Sequence, residues 1–317
     1  MRAREPWRPL TEALLGTPHL TSAEVAAAAG VDLEFARRLW RALGFSPPAD
    51  DERLFTAADV AVLKATCDLG NRFAIPPALL LQLARVTGHS LGRLADAQVV
   101  AVAEPRDGAA PTAAAVRRDL VALLPELEQL LRHVWRRHVV AAFARTAAVP
   151  AGADRVLTVG FADLVGFTAM TRALDAHALA DLVDRFEATA YEHVLGQHGW
   201  VVKMIGDEVM FAAADAIAAA RIGLALVDAH ARDATLPPVR VGLAHGPTLA
   251  WEGDLLGRTV NLAHRLVNLA RPGTVLVSDN LGKQLAKAEG AFALRHLRPV
   301  RLQGIGPVRP WVLRRAA

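Results

Sequence analysis

The chain has 317 residues, 53% of them hydrophobic and 21% charged, with no low-complexity tract, so we expect a globular protein of two domains. Its net charge of +4 reflects 18 Lys and Arg and 16 Asp and Glu in residues 1–150, with the same numbers in the rest. This even spread gives nucleic-acid binding no support, because that function is typical of a concentrated basic patch. The single Cys67 excludes an internal disulfide.

The sequence contains no evident signal for membrane insertion or export. No apolar run reaches the length of a membrane span without an interrupting charge, and the N-terminus lacks the apolar core of a signal peptide. A lone cysteine also fits a reducing cytosol. We therefore expect a soluble, cytoplasmic protein with no membrane span.

The first half of the chain is predicted to be helical. The run Thr21-Ser-Ala-Glu24 has the spacing of a capping box before an Ala-rich helix that Gly30 ends. A second helix is predicted from Leu33 to Leu43, and after a loop at 46–52 a third helix opens within 55–60. This order resembles the small winged-helix module of MerR-type regulators, whose usual role is DNA binding.

A long helical connector is predicted next. Residues 105–111 are predicted to be a loop, and 113–148 a long helix or helical pair with leucines at helical spacing, which Pro125 kinks or divides. Core packing or a dimer seam explains these leucines better than a cofactor-binding segment does. The connector also carries a cationic cluster that includes two imidazoles, groups that as a class titrate near neutral pH. The cluster consists of His133, Arg136, Arg137 and His138.

Two carboxylates in the second half are predicted to meet at one edge of a sheet. Residues 156–163 have the pattern of a buried strand that ends at Asp163, followed by a turn and a helix. Residues 199–205 and 209–211 are predicted to form a hairpin whose tight turn, 206–208, contains Asp207. If this hairpin pairs beside the first strand, Asp163 and Asp207 lie together and can hold hard divalent cations.

Two further segments carry candidate binding residues. Lys203 is one of only four lysines, which suggests that an ammonium group is needed at that position. Gly257 precedes a predicted helix that carries Asn261 and Arg265, four residues apart and therefore on one helix face. Asp254 lies in the predicted loop before that helix. Each of these residues alone is more often a turn, cap or surface residue; their joint occurrence favours a functional site.

Three segments together resemble the metal, adenine-selecting and transition-state motifs of the class III nucleotidyl cyclases. They are Phe161-Ala-Asp-Leu-Val-Gly-Phe-Thr168, Lys203-Met-Ile-Gly-Asp-Glu-Val-Met-Phe211 and Asp254-Leu-Leu-Gly-Arg-Thr-Val-Asn-Leu-Ala-His-Arg265. The resemblance covers roughly residues 153–314. It implies an α+β fold, with a ferredoxin-like catalytic domain (an antiparallel sheet with helices on it) after an all-α N-terminal domain. We expect an all-α regulatory domain at 1–112, a helical connector at 113–152 and the catalytic domain at 153–317.

The resemblance implies metal-assisted cyclisation of ATP. The residues matching Asp163 and Asp207, with the backbone carbonyl of Leu164, would bind two Mg²⁺ or Mn²⁺ ions per site. One ion would help deprotonate the ribose 3′-hydroxyl, which attacks the α-phosphorus, and the other would neutralise the triphosphate. Backbone N–H groups of Phe167 and Thr168 would bind the phosphates. The products would be 3′,5′-cyclic AMP and pyrophosphate.

The resemblance also assigns the remaining residues. Lys203 would donate to adenine N1 and Asp254 would accept from the N6 amine, a pair that favours ATP over GTP. Asn261 would hold the ribose, and Arg265 would meet the charge that grows on the phosphate in the transition state.

The spacing of Lys203 and Asp207 bears on the oligomeric state. Their backbones are separated by up to roughly 13 Å at about 3.3 Å per residue, which makes one shared nucleotide awkward for a single chain. In the family a homodimer resolves this: one subunit supplies the two metal-binding carboxylates and its partner supplies the base-reading and transition-state residues. Two equivalent composite sites follow from the two-fold axis.

One departure from the family and several alternatives complete the prediction. Gln303 stands where many relatives have a phosphate-contacting Lys, which puts that contact in doubt. A helical module like the present one is regulatory in a soluble bacterial subgroup of the family, so we expect regulation, by pH through His133 and His138 or by a small apolar or lipid effector. The alternative functions are a nucleotide-sensing DNA-binding regulator and a catalytically idle dimerisation module.

Overall fold

A computed structural model describes residues 8–105, 109–147, 155–288 and 290–316. The chain forms two compact units, residues 1–148 and 149–317. Part of the predicted loop at 105–111, the last residue of the predicted helix at 113–148 and the predicted domain boundary at 152/153 lie outside the described residues.

The described part of the first unit is helical. Its helices are α1 (Arg8–Leu15), α2 (Ser22–Ala29), α3 (Leu33–Ala42), α4 (Ala57–Arg72), α5 (Pro77–Ala103) and α6 (Ala113–Ala147). The predicted start and end of α2 are confirmed: Thr21 and Glu24 form a capping box, and Gly30 ends the helix in the left-handed conformation. The predicted second and third helices are also present, as α3 and α4.

The helices of the first unit enclose both a small core and an apolar cavity. Val25, Ala36, Leu39 and Leu63 are buried together in the core. Beside it lies an open cavity of about 620 Å³ with mostly apolar walls contributed by α1, α3, α4, α5 and the loop after α3.

The second unit is an α+β structure. Its strands are β1 (Arg155–Leu164), β2 (Trp200–Ile205), β3 (Glu208–Ala213), β4 (Val239–Trp251), β5 (Asp254–Leu256), β6 (Val275–Val277), β7 (Phe292–His296), β8 (Val300–Leu302), β9 (Gly306–Val308) and β10 (Trp311–Arg315). Its helices are α7 (Phe167–Ala173), α8 (Ala176–Gly196), α9 (Ala216–Arg232), α10 (Arg258–Leu269) and α11 (Asp279–Leu285).

The main sheet has the strand order β2-β3-β1-β4-β6-β10-β7, and β5 pairs with β4. All its pairings are antiparallel except that of β4 with β6. The first part of the unit runs strand, helix, two strands, helix, strand, with β1 between β3 and β4, which is the ferredoxin-like arrangement. The predicted α+β fold is confirmed.

Helices cover both faces of this sheet. On one face, Phe186 of α8 and Ile222 of α9 are buried against Phe211 and other strand residues. On the opposite face, Ala263 and Val267 of α10 are buried against a second set of strand residues. Because side chains alternate along a strand, every second residue of β1, β3 and β4 points towards α10.

Two local predictions are corrected, and one pair of alternatives is resolved. Asp254 is the first residue of the short strand β5, because residues 249–251 of β4 pair with 254–256. Glu208 belongs to β3 and pairs with Ile205, so the turn consists of residues 206 and 207. Pro125 does not divide its helix, since α6 runs continuously through it.

In the described ranges, no helix combines the length and the hydropathy needed to cross a membrane.

Candidate active site

Two of the candidate carboxylates lie at one end of the central strands. Asp163 is the next-to-last residue of β1, and it lies opposite Glu208 in the antiparallel pairing with β3. Asp207 occupies the turn just before Glu208, and its backbone oxygen accepts a hydrogen bond from the N–H of Leu164 at 3.0 Å. The structure thus brings Asp163, Leu164 and Asp207 together.

The carboxyl groups at this edge influence one another's ionisation. Burial raises the pKa of Asp207, and the neighbouring Asp163 carboxylate raises it further. Burial also raises the pKa of Glu208 to about 7, with further contributions from Asp163 and Asp207. Both shifts disfavour the charged form, so the cluster is a site where a cation would be stabilising.

One guanidinium already faces this cluster. Arg240 of β4 lies opposite Asp163 on the other side of β1, and its Nε donates to Asp163 Oδ2 at 2.6 Å. Asp163 is 15% exposed and Arg240 is 30% exposed, so the ion pair is largely shielded from solvent.

The donor set fits a hard divalent ion. Two carboxylates and a backbone carbonyl supply only oxygen ligands, which Mg²⁺ and Mn²⁺ prefer. Across the described ranges, no three His, Cys, Asp or Glu side chains are grouped so that they could hold a metal by themselves. An ion at Asp163 and Asp207 would therefore take its remaining ligands from the carbonyl, water and substrate phosphates, as Mg²⁺ usually does in nucleotide-binding sites.

Lys203 and Asp254 meet in a second part of the site. Lys203 lies on β2 and Asp254 begins β5, and the Lys203 ammonium group donates directly to Asp254 Oδ2. The other oxygen of Asp254 accepts from the backbone N–H of Leu255 at 2.8 Å, which fixes the orientation of the carboxylate. A donor and an acceptor thus lie side by side, an arrangement that can read the edge of a purine.

Helix α10 presents Asn261 and Arg265 on one exposed face. The helix lies close to β4 because Gly242 has no side chain: a Cβ there would be 2.2 Å from the backbone N of Val267. His264, which precedes Arg265 on this helix, has its Nε2 3.6 Å from Glu208 Oε2. Burial, followed by the nearby Arg265, lowers the pKa of His264.

The candidate phosphate-binding residues follow β1. Phe167 and Thr168 are the first two residues of α7, where N–H groups lack partners within the helix. Gln303 lies far along the chain in the turn between β8 and β9, and Arg258 at the start of α10 donates to the backbone oxygen of Ile305 in that turn at 3.4 Å.

The candidate residues therefore form four groups: the carboxylate edge, the Lys203 and Asp254 pair, the α10 face, and Phe167 with Thr168 at the start of α7. The sequence analysis missed Arg240 and Glu208. Strand pairing places both residues opposite Asp163, and Arg240 then forms an ion pair with it. The sequence did offer one signal for them: each is a charged residue at the border of an apolar strand. A charge in that position is costly to bury without a partner, so a partner was to be expected.

Comparisons with known proteins give a consistent result. Residues 149–315 match the adenylate and guanylate cyclase catalytic domain. A curated adenylate cyclase of Streptomyces coelicolor is 38% identical over 93% of this chain and 86% of its own length. A pH-sensitive adenylate cyclase of Mycobacterium tuberculosis is 32% identical over 96% of this chain and 82% of its own length.

Among solved structures, the adenylyl cyclase CyaB from P. aeruginosa is 26% identical with a TM-score of 0.46, over 52% of this chain and 98% of that one. The family match spans more than half of the chain, and the curated relatives extend the similarity into the first unit. The resemblance inferred from the three motifs is confirmed: this chain belongs to the adenylate and guanylate cyclase family.

Proposed function

We propose that this chain is an adenylate cyclase that converts ATP to 3′,5′-cyclic AMP and pyrophosphate at sites shared between two identical subunits. The observation that carries the proposal is the direct contact of Lys203 with Asp254. An ammonium donor beside a carboxylate acceptor matches adenine, which has an acceptor at N1 and a donor at N6. Guanine presents the opposite pattern. Curated relatives named adenylate cyclase support the same substrate.

The chain's own residues would bind and orient the nucleotide. Lys203 and Asp254 exchange their mutual ion pair for hydrogen bonds to the base. Asn261 holds the ribose, and Arg265 on the same helix face lies ready for the charge that develops on the transferred phosphoryl group. The first N–H groups of α7, at Phe167 and Thr168, contribute to phosphate binding.

Asp163, Asp207 and the carbonyl of Leu164 would hold two Mg²⁺ or Mn²⁺ ions per site. When bound, these ions supply charge neutralisation of the triphosphate and lower the pKa of the ribose 3′-hydroxyl. The support from this chain is an oxygen-only donor set in which burial and mutual repulsion disfavour uncompensated negative charge.

A homodimer is part of the proposal. Large apolar side chains are exposed around the base-reading pair: Ile205 on β2, Leu249 and Trp251 on β4, and Leu256 on β5. Such an exposed apolar patch is typical of a protein interface. A partner docked there would bring its own Asp163 and Asp207 to the nucleotide held by Lys203 and Asp254.

The direct test is turnover of ATP and GTP by the purified full chain with Mn²⁺ or Mg²⁺, with products identified by chromatography. We expect cyclic AMP from ATP, and at least about 100-fold lower kcat/KM for GTP, because GTP would leave the base-reading groups of Lys203 and Asp254 unpaired. Asp207→Asn should abolish turnover, whereas Asp228→Asn, which removes a surface ion pair with Arg315, should not. Absence of turnover would favour the idle dimerisation module.

We also propose that the first unit regulates the second, in the cytoplasm where ATP is available. Two inputs are candidates. One is a small apolar or lipid effector in the cavity of about 620 Å³, whose walls include Trp40, Phe45 and Leu83. The other is pH acting on His133 and His138, which are exposed on α6.

The two inputs are separable by experiment. A pH input predicts that a His133→Ala, His138→Ala variant loses the change in cyclase activity that the wild type shows between about pH 5.5 and 8, a range centred on the ordinary imidazole titration. Identical profiles would exclude these histidines. An apolar input predicts that Thr66→Trp, which places a bulky side chain in the cavity, weakens or abolishes the response to added fatty acid and leaves the pH profile intact.

A further inference from the structure

Three charged side chains lie in a row across three neighbouring strands. Asp163 on β1 is opposite Glu208 of β3 on one side and opposite Arg240 of β4 on the other. Residues two positions away on β1 and β3, Phe161 and Met210, belong to the core under α10. Since side chains alternate along a strand, all three charged groups point to that same face.

The centre of the row is a shielded ion pair. Arg240 Nε lies 2.6 Å from Asp163 Oδ2, and Arg240 Nη1 lies 3.5 Å from the backbone oxygen of Asn268 in α10. The second contact ties the guanidinium to the helix. Charge-assisted hydrogen bonds of this kind are stronger than neutral ones, so Asp163 is held in one orientation by a residue on the adjacent strand.

Glu208 lies opposite Asp163 on β3 and adds to the negative charge beside the Arg240 guanidinium. Its carboxyl group is 12% exposed, and Asp207 adjoins it in the chain, so three carboxyl groups share one edge. Like charges that share a partly buried site repel one another, and Asp163 and Asp207 accordingly raise the pKa of Glu208. Arg240 is in direct contact with Asp163, and its positive charge offsets part of that repulsion.

We propose that Arg240 and a divalent ion compete for the same oxygen of Asp163, so that Arg240 limits how tightly the ion binds before the nucleotide arrives. The inference rests on the proposed function, since it concerns the proposed metal site. Arg240 acts on the ion through Asp163. Its guanidinium occupies Oδ2, and the ion would have to displace that hydrogen bond to bind there.

The test measures Mn²⁺ binding to the full chain in the absence of nucleotide, by the loss of the free-ion signal in electron paramagnetic resonance. Arg240→Gln removes the competing charge, and we expect it to bind Mn²⁺ about tenfold more tightly than the wild type, because a positive charge beside the ligand oxygen repels the ion in a partly shielded site. Its melting temperature without metal should fall, because the carboxylates then repel without compensation. Arg295→Gln is the control: it makes the same charge change on β7, three strands from β4, and should leave the affinity unchanged.

Unchanged or weaker Mn²⁺ binding by folded Arg240→Gln would overturn the inference. If that variant does not fold, Arg240→Lys serves instead: it keeps the charge but loses the Nε contact, so it should bind Mn²⁺ more tightly than the wild type by a smaller factor, and unchanged or weaker binding again contradicts the inference. Asp163→Asn distinguishes failure of the proposed metal site from failure of the competition. If Asp163→Asn binds Mn²⁺ as tightly as the wild type does, Asp163 is not a metal ligand, and both the metal site and the competition are wrong.

Discussion

Lys203 and Asp254 illustrate how single residues acquire a role through the fold. They are 51 positions apart, on β2 and β5, and yet they form an ion pair. In the proposed site each gives up its partner for adenine, so selectivity depends on which residue donates and which accepts. Reversing the donor and acceptor should therefore reverse the preferred base.

We predict that Lys203→Glu combined with Asp254→Ser lowers kcat/KM for ATP by at least about 100-fold and raises it for GTP. The reason is that a site built to hydrogen-bond one base leaves polar groups unpaired with the other. The measurement is steady-state turnover of each nucleotide. Lys283→Glu is a matched control, since Lys283 forms an exposed ion pair with Asp279 on α11. An equal loss for both nucleotides in the double variant would count against base reading by this pair.

A second residue-scale prediction concerns His230, which is 3% exposed in the core. Its Nδ1 is 2.7 Å from the backbone oxygen of Pro237, and burial is the main cause that lowers its pKa. The unfolded chain, with an ordinary imidazole pKa of about 6.5, therefore binds this proton more readily. The stabilising contribution of neutral His230 is complete above about pH 6.5 and is lost progressively as the pH falls below that value.

We expect His230→Asn, which keeps an N–H donor but does not titrate, to show a smaller drop in melting temperature between about pH 7.5 and 5.5 than the wild type. Calorimetry at several pH values measures this. His198→Asn is the control, because His198 is exposed and has a positive φ of 58° that Asn tolerates. A wild-type slope retained in His230→Asn would contradict the prediction.

At the scale of single residues, the sequence identified candidate site residues only where they belong to a recognisable motif. Asp163, Asp207, Lys203 and Asp254 were selected from three segments by residue type and order. Arg240 was not, because its contact with Asp163 spans 77 positions. That contact depends on the register of two strands, which linear spacing does not specify.

At the scale of elements, the position of α10 on the sheet decides where Asn261 and Arg265 lie. The helix approaches β4 closely enough that a Cβ at Gly242 would be 2.2 Å from Val267 N and 2.5 Å from Ala263 O. Backbone atoms cannot move aside as a flexible side chain can. Any side chain at residue 242 must therefore displace the helix.

We predict that Gly242→Ala destabilises the second unit by about 1–3 kcal/mol, the usual cost of overpacking, and lowers kcat more than it raises KM. The larger effect on kcat is expected because Asn261 and Arg265 of α10 would shift relative to the substrate. Thermal unfolding and steady-state kinetics together test this. Gly196→Ala, where a Cβ meets no atom within 4 Å, should leave both stability and activity close to those of the wild type. A destabilised Gly242→Ala enzyme with unchanged kcat would contradict the positional argument.

Element prediction succeeded where the local pattern was strong. The buried strand expected at 156–163 is Arg155–Leu164, and the capping box at Thr21 starts its helix as expected. It failed at Asp254, because β5 has three residues and exists through pairing with β4. At 113–148 the first of the two predicted alternatives, a single long helix, is confirmed: proline removes one helical hydrogen bond, but the 35-residue helix α6 continues on both sides of Pro125.

At the scale of the whole molecule, length and composition predicted a globular protein of two domains, and the three motifs predicted the family. The homodimer with shared sites is a proposal, and it is supported by exposed apolar residues such as Trp251 beside the base-reading pair. Sequence spacing suggested it only indirectly, from the separation of Lys203 and Asp207. An exposed apolar surface in one chain has no counterpart in a linear pattern, which is why structure was needed to locate it.

The central claim is that ATP is cyclised at a site to which two chains contribute. Mixing inactive Asp163→Ala and Arg265→Ala chains tests it most directly. With random exchange, half of the dimers are mixed and each has one intact site, so cyclic AMP formation should recover to about a quarter of the wild-type rate. Mixed dimers that form, as shown by co-purification of differently tagged chains, and yet produce no cyclic AMP would contradict the claim.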